Sequence, residues 1–168
     1  MRVLFSDYAA IILSAMKRFV VTAILIAVIT SVLTYFMPCG FDEFVSVFGT
    51  EATVSIYCRQ TSLEAVDMGC GYKITCYAST FYDTLARCDE VDGISVSFDG
   101  SYQEALNLCE FFALKVSSTY EQDGLFVVCG RSNKIRNGII DDGQFVNLQI
   151  AYREGVICVG SPLILGDY

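Results

Sequence analysis

The chain has 168 residues, of which 54% are apolar, with eight cysteines and no histidine. This length allows one domain with a modest core, and the lack of histidine excludes Ser-His and Cys-His catalysis. Residues 40–168 hold 18 of the 19 acidic and 8 of the 11 basic residues, a net charge of −10. Such a domain repels phosphate backbones, so no nucleic-acid partner is expected.

The first predicted element is an uncharged apolar run, residues 19–37, which starts at Phe19 and ends at Met37. A helix of 19 residues reaches about 28 Å, close to the hydrocarbon thickness of a bilayer. Lys17 and Arg18 precede the run, and acidic residues follow it. Because positive flanks stay in the cytoplasm, we predict a transmembrane helix or signal-anchor over 19–37 and an extracytoplasmic domain over 40–168.

Other interpretations of the amino-terminal region stay open. The run could be a cleaved signal peptide, although no A-x-A site precedes Cys39, and a lipoprotein signal fits poorly because small residues are expected before that cysteine. Residues 1–18 are interpreted as a cytoplasmic segment or as the result of a mis-called start, with Met16 as the true first residue. Residues 1–15 could instead form a short interfacial helix, because they are apolar but too short to span a bilayer.

The next elements follow from alternation and capping. Residues 51–58 and 72–78 alternate apolar and polar side chains, which predicts two strands of a wide hairpin. A short helix is expected over 81–88, a turn at the acidic residues 89–92, and a strand over 93–98. Ser101 and Glu104 form a capping box, which predicts a long amphipathic helix over residues 102–117.

In the carboxyl-terminal part, the sequence predicts a strand over 125–129 and a polar loop over 131–143. A hairpin of two strands, 145–152 and 155–159, follows. Asn147 and Gln149 are expected on a half-solvated strand face. The element order is β-β-α-β-α-β-β-β. It favours an α+β fold, in which an N-terminal transmembrane helix precedes one domain with a mainly antiparallel sheet and two helices on one face.

The cysteines have two interpretations. Most lie where a small apolar residue would lie, so buried reduced thiols are expected. Outside the cytoplasm they could instead pair, and the candidate disulfide is Cys58–Cys76, across the predicted hairpin. This bond requires Cα atoms within about 7 Å.

One loop is a candidate binding site. Arg131, Lys134 and Arg136 form the only basic patch of the acidic domain. A plain exposed loop is one interpretation, and contact with an acidic partner is the other, because loops on rigid scaffolds often carry binding. A phosphate is a weaker candidate for this patch, because the loop lacks the G-x-x-x-x-G-K-[ST] pattern.

No catalytic, cofactor-binding or metal-binding residues are predicted. There is no C-x-x-C pair to support a zinc or thioredoxin-like site. The carboxylates near Asp89 and at Asp141-Asp142 do not follow the spacing of a calcium loop, so they are interpreted as solvated turns.

The carboxyl-terminal stretch, residues 146–168, resembles the closing hairpin of the YwmB-type exported proteins of spore-forming Gram-positive bacteria. The resembling pieces are Asn147-Leu148-Gln149-Ile150-Ala151 and Gly160-Ser161-Pro162-Leu163-Ile164. The resemblance implies a TATA-box-binding-like fold and an extracytoplasmic role linked to sporulation.

Together these patterns predict a non-enzymatic, membrane-anchored interaction or structural module of the bacterial envelope. It would bind the membrane through residues 19–37 and a protein partner through the basic loop. The alternative is a thiol-active domain or a small-ligand-binding domain, with a cavity between the long helix and the sheet.

Overall fold

The computed structural model of the chain describes residues 40–164, together with Val20, Ala23 and Ile24. The chain divides into two units, Met1–Met37 and Pro38–Tyr168. The three described residues of the first unit are helical, and no helix within the described residues is long and apolar enough to cross a membrane. The predicted segments 1–18 and 19–37 lie almost entirely outside the described residues.

The second unit is an α+β domain, as the element pattern predicts. Its helices are α1 (Phe41–Ser46), a 3₁₀ turn (Ala78–Thr80), α2 (Phe81–Leu85) and α3 (Tyr102–Phe111). Its strands are β1 (Thr53–Thr61), β2 (Val66–Asp67), β3 (Tyr72–Tyr77), β4 (Cys88–Asp99), β5 (Lys115–Gln122), β6 (Leu125–Arg131), β7 (Ile139–Asp141), β8 (Gln144–Val146), β9 (Leu148–Arg153) and β10 (Val156–Ser161).

Eight strands form one sheet in the order β2-β3-β1-β4-β10-β9-β6-β5. Every pair of neighbours in it is antiparallel. The last strand, β10, lies between β4 and β9, so it joins the two halves of the chain. Strands β7 and β8 pair separately as a small hairpin.

One face of this sheet carries the core. The register places Val54, Val96, Val159, Ile150 and Val128 in a single row across five strands. All five are buried, and each such side chain contributes roughly 1.5–3 kcal/mol. Side chains from all three helices join the same cluster, including Phe44, Phe81, Ala105 and, just after α3, Phe112.

Helix α3 begins as predicted and ends earlier. Ser101 Oγ accepts from the Glu104 N–H (3.3 Å), and the Glu104 carboxylate accepts from the Ser101 N–H (2.7 Å). The helix ends at Phe111 because Ala113 takes a left-handed conformation (φ 47°). The Leu114 N–H then bonds to the Cys109 carbonyl (2.9 Å), which is a Schellman ending without the usual glycine.

The prediction of a helix to residue 117 and of a loop over 131–143 is wrong at both places. Residues from Lys115 onward form β5, and the predicted loop contains β7 and the turn that leads to its partner β8. Two-residue turns close the hairpins at Asp123-Gly124, Asp142-Gly143 and Glu154-Gly155, with positive φ at every position. That conformation is the type I′ turn, whose twist matches the strands.

Strand β4 is longer than predicted. It begins at Cys88, so the acidic residues 89–92 belong to a strand and not to a turn. Glu90 has a φ of 52°, and the pairing with β1 shifts by one residue between Tyr57 and Cys58. Asp92 forms an ion pair with Arg59 (2.6 Å).

Candidate functional site

The three basic residues of the predicted partner loop lie at the surface. Arg131 ends β6, and Lys134 and Arg136 follow before β7. All three side chains are exposed. Arg131 and Lys134 lie close to aromatic rings of the domain.

Lys134 closes the carboxyl-terminal end of α3. Its ammonium donates to the carbonyl oxygen of Phe111 and lies 4.6 Å from the centroid of the Phe111 ring. The last carbonyls of a helix lack partners inside the helix and carry partial negative charge. Lys134 therefore has a structural role at the helix end as well as an exposed charge.

Asn147 binds the backbone of the same loop. Its Oδ1 accepts from the Ser132 N–H (2.6 Å), and its Nδ2 donates to the carbonyl oxygens of Ser132 (2.8 Å) and Ile135 (2.8 Å). Ser132 in turn donates its hydroxyl to the Phe112 carbonyl (2.6 Å). These bonds fix the loop to the end of α3.

The expected half-solvated face for Asn147 and Gln149 is therefore wrong. Asn147 is 1% exposed and Gln149 is 7% exposed. Gln149 Oε1 accepts from the N–H of Ile164 (2.8 Å), so it holds the segment after β10. Alternation alone gave no sign that these amides bind backbone groups.

Lys115 adds a fourth charge that the sequence did not indicate, because it lay inside the predicted helix. It starts β5 directly opposite Arg131 on β6. Like charges at opposite positions of an antiparallel pair destabilise it. A Cβ at the neighbouring Gly130 would lie 2.2 Å from the Lys115 carbonyl oxygen, so only glycine permits this close approach of the strands.

Exposed apolar side chains border these charges. The β7–β8 hairpin presents Ile140, which is 69% exposed, and Phe145. The Arg131 guanidinium lies 5.6 Å from the centroid of the Phe145 ring. We name Lys115, Arg131, Lys134 and Arg136, with Ile140 and Phe145, the basic edge surface. It holds four of the eight basic residues of 40–168.

The candidate disulfide Cys58–Cys76 does not form. Both thiols are free, as are the other five cysteines in the described residues. In the β1–β3 register Cys58 lies opposite Tyr72, whereas Cys76 lies opposite Val54. Four residues along a strand span about 13 Å, well beyond the reach of a disulfide.

Burial raises the pKa of several thiols. This holds for Cys76, Cys109 and Cys129, and the pKa reaches about 11 for Cys88 and Cys158. At Cys88 the neighbouring Cys58 thiol adds to the effect of burial. Such thiols stay protonated near neutral pH and are poor nucleophiles.

No metal centre forms from the carboxylates and cysteines of the described residues. No three side chains of the types His, Cys, Asp and Glu come together there. Asp141 and Asp142 lie at the β7–β8 turn, in agreement with the turn interpretation.

The sequence matches no known protein-family model, and comparisons with curated proteins and with solved structures find no significant match. The YwmB-type resemblance thus stays a prediction that rests on residues 146–168.

Proposed function

We propose that the chain is a membrane-anchored interaction module whose domain lies outside the cytoplasm and binds an acidic protein partner. The apolar run 19–37, with Lys17 and Arg18 before it, supports the anchor and the orientation. Residues 40–168 carry a net charge of −10, so the basic edge surface is the part of the domain suited to an anionic partner. A link to sporulation enters only through the YwmB-type resemblance.

The observation that carries this proposal is the Lys115–Arg131 pair. Two cations face each other across β5 and β6 although the surrounding domain offers many carboxylates. An anionic partner would relieve this repulsion, and the exposed Ile140 and Phe145 would contribute apolar contact area. The thiol-active alternative is less well supported, because burial raises the pKa of every cysteine for which a shift is resolved.

The test uses a fluorescent polyglutamate peptide as an acidic probe and the full chain in phosphatidylcholine nanodiscs. Arg131→Gln should weaken binding about two- to fivefold at low salt, the effect of one exposed charge pair. Arg87→Gln, the same change at an exposed arginine outside the surface, should leave affinity unchanged. Equal affinity of wild type and Arg131→Gln, or binding that does not weaken with salt, would overturn the proposal.

A further inference from the structure

Strand β5 leaves one edge of the large sheet open. It is the terminal strand of the sheet and pairs with β6 on its inner side. On its outer side, no strand of the described residues pairs with it. An edge of this kind presents backbone N–H and C=O groups that can pair with another extended chain.

The register shows which backbone groups of β5 point outward. The two-residue turn that joins β5 to β6 is flanked by Gln122 and Leu125, and the residues that flank such a turn form a hydrogen-bonded pair. Hydrogen-bonded and non-hydrogen-bonded pairs then alternate along the two strands. Thr119 and Glu121 occupy non-hydrogen-bonded positions, so their N–H and C=O groups point away from β6.

The middle of β5 lacks the charges and prolines that usually protect an exposed edge. Residues 116–120 contain neither, and they include β-branched and aromatic residues that favour strands. Val116 and Tyr120 are 56% and 51% exposed. The register shift lies between Val116 and Ser118, so residues 118–122 form a regular edge.

The two ends of β5 differ in charge. Lys115 starts the strand opposite Arg131, whereas Glu121 and the turn residue Asp123 lie at its far end. All four side chains are exposed. Because opposite charges stabilise neighbouring strands and like charges destabilise them, the edge favours a segment whose acidic residues lie beside Lys115 and not beside Glu121.

We propose that the acidic partner adds an extended segment to the outer edge of β5 as a further antiparallel strand. This inference rests on the proposed function, because the partner is the same. Neighbouring strands of the sheet are all antiparallel, so the acidic residues would lie at the carboxyl-terminal end of the segment. Bonds to the backbone of Thr119 and Glu121 would supply affinity, and Lys115 with Arg131 would fix the direction.

The experiment uses the full chain in phosphatidylcholine nanodiscs and the fluorescent peptide Thr-Val-Thr-Val-Thr-Glu-Glu. Two N-methylated versions block alternate sets of backbone N–H groups, and an added strand turns only one set toward β5. We expect one version to bind about tenfold more weakly and the other to stay within about threefold of the parent peptide, because only one loses bonds to the sheet. Equal affinity of the two versions would overturn the proposal.

Two variants of the chain provide a matched test of the edge. Thr119→Pro removes an outward N–H and should weaken binding of the parent peptide about tenfold. Thr119→Val keeps that N–H and should stay within about twofold of wild type, since both side chains suit an exposed strand. Equal affinity of the two variants would contradict strand addition. Should Thr119→Pro fail to fold in urea unfolding, the N-methylated peptides still decide.

A last comparison separates this proposal from the proposed function and from a second copy of the chain. Failure of Arg131→Gln to weaken polyglutamate binding would count against the proposed function. A charge effect without any difference between the N-methylated peptides would count against strand addition alone. Sedimentation of the chain in detergent, without peptide, tests the other occupant: a dimer that Thr119→Pro dissociates would place a second copy on the edge and overturn the proposal.

Discussion

The centre of the sheet and its β5–β6 edge are stabilised by different interactions. At the centre, strands β1, β4, β10 and β9 place a continuous row of buried aliphatic side chains under the helices. At the edge, most side chains of β5 are exposed, and buried amide and hydroxyl groups hold the adjoining loop. Apolar burial therefore determines the structure at the centre of the sheet. At the edge, where the basic edge surface lies, the structure depends on polar side chains that form hydrogen bonds with the backbone.

The largest expected effect tests the centre. Ile150→Ala should lower the free energy of unfolding by about 4 kcal/mol, because it removes a fully buried side chain and leaves a cavity. The edge counterpart is Val116→Ala on β5, where the side chain is 56% exposed and the expected loss is below about 0.5 kcal/mol. Urea unfolding measures the free energy of unfolding of both variants, and similar losses in the two would contradict the difference between centre and edge.

The next prediction tests whether hydrogen bonds from a buried side chain hold the loop next to the β5–β6 edge. Asn147→Ala should cost about 3 kcal/mol, because it leaves three backbone groups of the loop without their bonds. Asn133→Ala, at an exposed position of the same loop, should cost less than about 0.5 kcal/mol. If unfolding curves of the two variants coincide, the loop is held by something other than Asn147.

A third prediction concerns pH and the opposite face of the central strands. Burial raises the pKa of Cys158 to about 11, above the value near 8.5 of an exposed thiol. The neutral thiol therefore contributes stability that is fully present below about pH 8.5 and is lost as the pH rises through about 11, an effect of roughly 3 kcal/mol.

Unfolding at pH 8 and pH 11 measures this effect. Cys158→Ala should lose less stability than wild type between the two values, and Cys70→Ala, at an exposed thiol, should lose as much as wild type. An identical decrease in wild type and Cys158→Ala would contradict the assignment.

The smallest effect concerns the start of α3, where sequence and structure agree. Ser101→Ala should lower stability by about 1 kcal/mol, because the N–H of Glu104 loses its capping acceptor. Ser101→Thr keeps both the acceptor for the Glu104 N–H and the hydroxyl that donates to the Glu104 carboxylate (2.8 Å), so it should stay within about 0.5 kcal/mol of wild type. Thermal unfolding compares the two variants, and equal losses would show that the cap contributes nothing.

The parts of the fold that could be predicted from the sequence are those that depend on local signals. Alternation identified β1 and β3, and Ser101 with Glu104 identified the start of α3, because those signals are local. The end of α3 was missed because Ala113 takes the left-handed conformation in place of glycine. Strand β7 was missed because its three residues are too few for alternation to show, and β8 was predicted as one strand with β9.

The candidate site was predicted in part for the same reason. Arg131, Lys134 and Arg136 are neighbours in sequence, and all three are exposed. Lys115 joins them only through the β5–β6 register, and the bonds of Asn147 join residues 12 and 15 positions apart. Non-local contacts of this kind leave no periodic pattern in the chain. The register of β1 and β3 also separates Cys58 from Cys76. The prediction of a hairpin alone does not give this register.

The proposal of an anchored domain outside the cytoplasm can be tested most directly through Cys70, an exposed thiol of the described domain. Cells that produce the full chain are treated with a membrane-impermeant maleimide before and after disruption, and the Cys70 peptide is quantified, with Cys158 as the buried control. The account predicts equal labelling of Cys70 in intact and disrupted cells, with the protein in the membrane fraction. Labelling of Cys70 only after disruption, or recovery of the full chain in the soluble fraction, would contradict it.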